Sequence, residues 1–225
     1  MEMLKSVKQT FKVPEIRSKL IFTLLMLVVF RIGSNIPVPG INRSALAEMF
    51  TGETGLFDLF DLFSGGSFST FTIFALSITP YITSSIIIQL LTISFPKLEE
   101  MQRDGEEGRK KLNRLTRHVT ILLSVIEALA MAIGFGRSGY LSHFNFPYVL
   151  MMVAVLTAGA TALMWIGERI TKNGVGNGIS IVLVINIVSR LPQDVTTLYN
   201  QFIKGQTIAR GILYGAIIVA IIVGI

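Results

Sequence analysis

Glu127 stands in the middle of the apolar run VTILLSVIEALAMAIGF. A carboxylate there costs at least about 2.5 kcal/mol if it faces lipid, so it must face protein or water. Two chemistries suit such a group: handling a proton or ion in transit, or a structural hydrogen bond made in its protonated form. Two other apolar runs carry polar groups on a defined side. In ALSITPYITSSIIIQLLT, residues Ile78, Ile82, Ser85 and Gln89 share one helical face, and Pro80 is expected to kink the backbone or loosen its hydrogen bonding. In GVGNGISIVLVINIV, residues Ile179, Val182, Leu183 and Asn186 share another. Bulky aliphatics mixed with amides and hydroxyls suit helix packing, with the polar groups as interhelical glue.

Enzymatic chemistry finds little footing. The chain has no Cys, so it has neither disulfides nor thiolate metal sites, and His118 and His143 are its only imidazoles. GVGNG lacks the Lys-Ser/Thr that would make it a phosphate loop, and no Walker A pattern occurs. NGIS is not a nucleophile elbow, and no Ser, His and carboxylate set is assembled. No catalytic residue, metal or cofactor is expected, and the chain is read as a non-enzyme.

The elements that position these groups belong to a membrane. Of the 225 residues 51% are hydrophobic and 15% charged, with a mean hydropathy of +0.64, values ordinary for a polytopic membrane protein and poor for a soluble domain. After a basic segment at 1–19, apolar spans are expected at about 20–36, 71–95, 118–136, 146–168 and 176–192, with the start of a sixth at 208–225. The predicted class is therefore an all-α polytopic membrane protein. The first run lacks a small-residue cleavage site and is expected to remain as an anchor.

Orientation follows from Lys and Arg, because the positive-inside bias counts these residues rather than net charge. Fourteen of the 20 fall on one side: five before the first span, seven between the second and third, and two after the fourth. Five lie in the alternate loops or the start of the sixth run, and Arg31 lies within the first run, where it is expected to snorkel. The N-terminus is expected to be cytoplasmic. The loop RDGEEGRKKLNRLTRH, with Arg109, Lys110 and Lys111, then faces the cytoplasm as a solvated surface or a docking site for a soluble partner or anionic lipid.

The outer segment LFDLFDLFSGGSFSTF is Phe-rich and too short to cross a bilayer. As a helix it places Leu56, Leu59, Phe60 and Phe63 on one face and turns Asp58 and Asp61 the other way. Gly65 and Gly66 break it, and residues 67–70 can cap the span that follows. A re-entrant half-helix and a helix lying flat at the interface both fit this pattern.

FRIGSNIPVPGI, LFSGGSFSTFTIFALSITPYITSSIIIQLL, EEGRKK and LMWIGERITKNGVGNGISI, in this order over nearly all of the chain, closely resemble the SecY family of protein-conducting channel subunits, most of all its bacterial branch. The resemblance implies a SecY-type helix bundle, here one pseudo-symmetric half with a re-entrant plug, in a protein about twice as long. It implies a plug at about 56–66 comprising Phe57, Leu59, Phe60, Phe63 and Ser64, with Gly65 and Gly66 as its hinge. It implies an aliphatic pore ring with Ile78, Ile82, Ile179 and Leu183 as members, isoleucine being usual at the last. Lateral-gate positions match Thr83, Gln89 and Glu127. Implied partners are SecE and SecG-type small membrane subunits, the SecA ATPase or a ribosome, polypeptides bearing signal sequences, membrane lipids, and the remaining half of the protein or a second copy of this chain. The implied location is the bacterial plasma (inner) membrane. Two other functions stay open on the residues alone: an ion-coupled secondary transporter using Glu127, and a non-conducting half-channel scaffold.

Overall fold

The computed structural model describes residues 13–42, 46, 55–141 and 144–202, with side chains omitted at 55–59, 193–195 and 197–202. The expected sixth run and His143 lie outside the described residues. Seven helices are found among the described residues: α1 (Pro14–Gly33), α2 (Gly55–Ser64), α3 (Thr79–Ser94), α4 (Pro96–Arg103), α5 (Gly105–Arg137), α6 (Phe146–Asn173) and α7 (Gly178–Phe202). By length and composition alone, α5 and α6 can each cross a membrane, with mean hydropathies of 2.1 and 2.2. The α3 and α4 pair passes the same test together but bends by 103° at Phe95, and Gly178–Pro192 is a shorter apolar helix.

The bundle is built around α5 and α6. α5 packs on α3, α4 and α6, and α6 packs in turn on α1 and α7. Close approach is possible because α5 buries small residues every fourth position, Thr116, Thr120, Ser124, Ala128, Ala132 and Gly136. α3 answers with Pro80, Ser84, Ile88 and Thr92, and the Ser84 and Thr120 hydroxyls hydrogen-bond across the joint.

Three features depart from the sequence expectations. The run at 71–95 is not one helix, since residues 65–78 form turns and α3 begins only at Thr79. Pro80 therefore opens a helix instead of kinking one, in the first turn, where a missing N–H costs nothing. The irregular stretch is tied down by exchange with the end of α1: Val38 N–H donates to Phe71 O and Ile73 N–H to Ile36 O, each at 3.0 Å. Phe71, Thr72, Phe74, Leu76 and Ile78 are buried there, the condition under which non-helical backbone is tolerated at membrane depth. Second, the charged segment read as a loop is helical, because α5 starts at Gly105 and carries it without a break into the apolar part. Third, Arg31 does not simply snorkel: its Nη1 donates to Ser189 Oγ on α7 at 3.2 Å.

Candidate functional site

Two apolar clusters fill the bundle. One gathers Phe68, Phe71, Ala128, Ala132, Phe135, Met152, Leu156 and Ala160. The other gathers Phe30, Phe74, Ile78, Leu163, Ile166, Ile170 and Val182, with Ile82, Ile179 and Leu183 packed against it. All four expected ring residues thus meet in a single cluster, although α3 and α7 are separated in sequence by two long helices. They are not equivalent. Ile78 is 1% exposed, whereas Ile82, Ile179 and Leu183 are half-buried.

Ile82 and Ile179 also line a cavity of about 670 Å3. Its remaining wall mixes apolar Ile86 and Trp165 with polar groups, including Asn113 and Arg117 of α5 and Glu168, Arg169 and Lys172 of α6. Arg117 Nε donates to Glu168 Oε1 at 2.6 Å, and the Arg169 guanidinium lies 5.1 Å from the centre of the Trp165 ring. These residues make a cavity in which charged and amide side chains adjoin the aliphatic Ile82 and Ile179.

α2 packs on α7. The helix ends at Ser64, and Gly65 and Gly66 follow at φ +66° and +84°. Gly65 is needed twice over, because a Cβ there would sit 3.0 Å from Asn186 Cα as well as demanding a left-handed backbone. Among the described side chains of α2, Phe60 and Phe63 lie on one side and Asp61 on the other, as the spacing predicts, and it is the Asp61 side that meets the protein. Phe60 and Phe63 are 55% and 43% exposed, while Asp61 is 1% exposed and faces the protein. Burial of this carboxylate is compensated: Oδ1 accepts the Ser69 N–H at 2.7 Å, and Oδ2 pairs with Arg190 of α7. The Phe63 carbonyl accepts from Asn186 Nδ2 and from Ser77 Oγ, both at 3.0 Å. The backbone of the expected plug positions Phe57 and Leu59 is helical, but their side chains lie outside the described residues.

Asp61, Ser77 and Arg190 were not singled out from sequence, and Asn186 only as a member of a face. A signal existed in their charges, since Asp61 and Arg190 are opposite charges beside two apolar segments, and a cation next to an apolar helix seeks an anion.

The expected gate residues do not converge among the described residues. Thr83 is half-buried, Gln89 is exposed with its Nε2 3.5 Å from Ser85 Oγ, and Glu127 is half-buried on α5 beside the face that meets α3. Arg109, Lys110 and Lys111 are all exposed on the polar first turns of α5, where Lys110 lies 3.9 Å from Glu106.

The SecY family profile matches residues 72–225. The protein translocase subunit SecY of Bacillus subtilis is 45% identical over 99% of this chain and 54% of its own length. The subunit of the same name from Thermotoga maritima is 40% identical over 88% of this chain and 48% of its own. The chain spans about half the length of the relatives it matches. Among solved structures, Sec61 in the canine ribosome-channel complex from the endoplasmic reticulum superposes with a TM-score of 0.57 at 20% identity, covering 88% of this chain and 43% of that one. A second, described as showing that the plug domain of the SecY protein stabilizes the closed state of the translocation channel and maintains a membrane seal, gives a TM-score of 0.55 at 22% identity, covering 94% and 45%. The relatives are named as translocase subunits, which turns against a secondary transporter and places the chain among membrane proteins. With the family profile over more than half of the residues, relatives above 40% identity along almost the whole chain, and an all-helical fold shared with the channel structures, this chain belongs to the SecY family.

Proposed function

We propose that this chain supplies one half of a protein-conducting channel that passes unfolded secretory polypeptides across a membrane. The observation that carries the proposal is the meeting of Ile78, Ile82, Ile179 and Leu183 in one aliphatic cluster, beside a cavity lined partly by charged side chains and with a short helix packed on α7.

The physics of the task favours this arrangement. A conduit for unfolded chains must pass every side chain, so it cannot rely on a specific binding site, yet at rest it must hold back ions. A narrow aliphatic constriction dewets and stops ions without gripping a peptide. Here Ile78, Ile82, Ile179 and Leu183 form part of that ring, residues 56–66 the plug, and Gly65 and Gly66 its hinge. Thr83, Gln89 and Glu127 line a lateral gate whose opposite wall comes from outside the described residues. A signal sequence opens that gate by partitioning into lipid, a population shift driven by its preference for the open state.

The N-terminus is cytoplasmic in this proposal, and the membrane is the bacterial inner membrane. The exposed cations Arg109, Lys110 and Lys111 then face a soluble motor of the SecA type or a ribosome, and small subunits of the SecE and SecG type hold the assembly together. Because the cavity is cation-rich and carries no phosphate-binding loop in sequence, energy comes from such a partner. Crosslinking from Ile82 or Ile179 to a secretory chain stalled in transit tests the proposal. Adducts with the chain are expected; adducts with lipid alone would overturn it.

A further inference from the structure

The joint between α2 and α7 contains charge that an apolar throat does not require. Asp61 is held on both oxygens: Oδ1 by the Ser69 N–H at 2.7 Å, with Ser64 Oγ 3.4 Å away, and Oδ2 by Arg190, whose side chain is 19% exposed. Beside it, Asn186 gives Nδ2 to the Phe63 carbonyl, but its own Oδ1 is buried without a partner. The amide contact is therefore half satisfied and the ion pair fully so. Arg190 lies on α7 and Asp61 on α2, 129 residues apart in sequence, so the pair exists only while the two helices are docked. Its free energy counts in one conformation alone, which makes it a lever on the population of that conformation.

We propose that Asp61 and Arg190 form a latch that holds α2 in its docked, closed position and so sets how often the throat stands stoppered. The proposal rests on α2 being the plug. Removing Arg190 leaves the buried Asp61 carboxylate without that cation, and undocking relieves this by returning the carboxylate to water. Release has a second effect. Ser77 loses the Phe63 carbonyl that its hydroxyl holds, and Ser77 sits at φ +54° directly before Ile78, so departure of α2 frees a strained residue adjoining the ring.

The test uses the assembled channel that contains this chain, in planar bilayers, with resting ion conductance as one readout. The other is the distance between spin labels at Phe60→Cys and Val184→Cys, two exposed positions in a chain with no native Cys. The variants are D61N, R190Q, their double, and deletion of residues 57–64. Each single is expected to raise the resting open fraction about tenfold and to lengthen the label distance. The double is expected within about twofold of the leakier single, because both act through one contact. Singles within about twofold of the parent, beside a leaking deletion, would overturn the latch and leave the plug standing. A silent deletion would overturn the plug and the latch with it. A double equal to the product of the singles would show that the residues act separately and overturn the pairing. Should R190Q not assemble, Arg190→Lys takes its place: it keeps the charge, so it is expected to leak less than D61N, and equal leakage would overturn the latch.

Discussion

The joint between α5 and α6 and the joint between α2 and α7 are made of opposite materials. The first buries Ala128 and Ala132 of one helix with Met152, Leu156 and Ala160 of the other, all at most 3% exposed, in an apolar cluster that also takes in Phe68, Phe71 and Leu141. Such a contact depends on close packing over a long surface, and no small motion can break it piecemeal. The second is a helix of 10 residues whose described contacts with α7, near its C-terminal end, include the Asp61–Arg190 ion pair and the Phe63 carbonyl held by Asn186, with Phe60 and Phe63 left exposed. Discrete polar contacts at one end release together, and water can replace them. In the proposed channel the bundle thus pairs a framework built to stay with a helix that can leave, and local stability differs accordingly.

The contrast can be broken at either joint, and the framework should suffer most. Leu156→Ala, at a position with 0% exposure, is expected to cost about 2–5 kcal/mol in reversible unfolding in detergent. A loss below about 1 kcal/mol would mean that α5 and α6 are not the rigid part.

At the joint of α2 and α7, Gly65→Ala meets both a left-handed backbone and Asn186 Cα at 3.0 Å, so it should undock α2 by about 1–3 kcal/mol, read as increased resting conductance. Gly66→Ala meets only the backbone constraint, with no atom within 4 Å, and should cost less. Equal effects would show that the close approach of Gly65 to α7 is unimportant.

Glu127→Gln sharpens the function. A gate residue should shift signal-sequence dependence by less than about tenfold, roughly 1 kcal/mol, while transport continues. Abolished transport would instead revive an ion-coupled role. The smallest expected effect is at the surface: Lys110→Ala removes a pair with Glu106 in which both side chains are more than three-quarters exposed, so folding should not change measurably. Weaker association with a soluble partner is expected, and unchanged association would remove Lys110 from the docking surface.

The aliphatic faces were legible because helical periodicity alone puts Ile78 beside Ile82 and Ile179 beside Leu183, and a cluster then needs only that the two helices meet. Other features were hidden for identifiable reasons. Residues 71–78 are as apolar as a helix, and only pairing with 36–38, distant in sequence, makes them irregular. The helical start of α5 was masked by its charges, although Glu106 with Lys110 and Glu99 with Arg103, each four apart, are the pairs that support an exposed helix. Which side of α2 meets the protein could not be read from its own segment. Spacing predicts which residues share a face, but the partner that draws Asp61 inward is far away on α7.

The most direct measurement of the dry throat is sidedness of thiol labelling at Ile82→Cys in the resting channel, using a membrane-impermeant maleimide. Ile82 lines the cavity and belongs to the aliphatic cluster, so the new thiol should react from the cavity side and stay protected from the plug side. Reaction from both sides in the resting state, or only with a lipid-soluble reagent, would contradict the account.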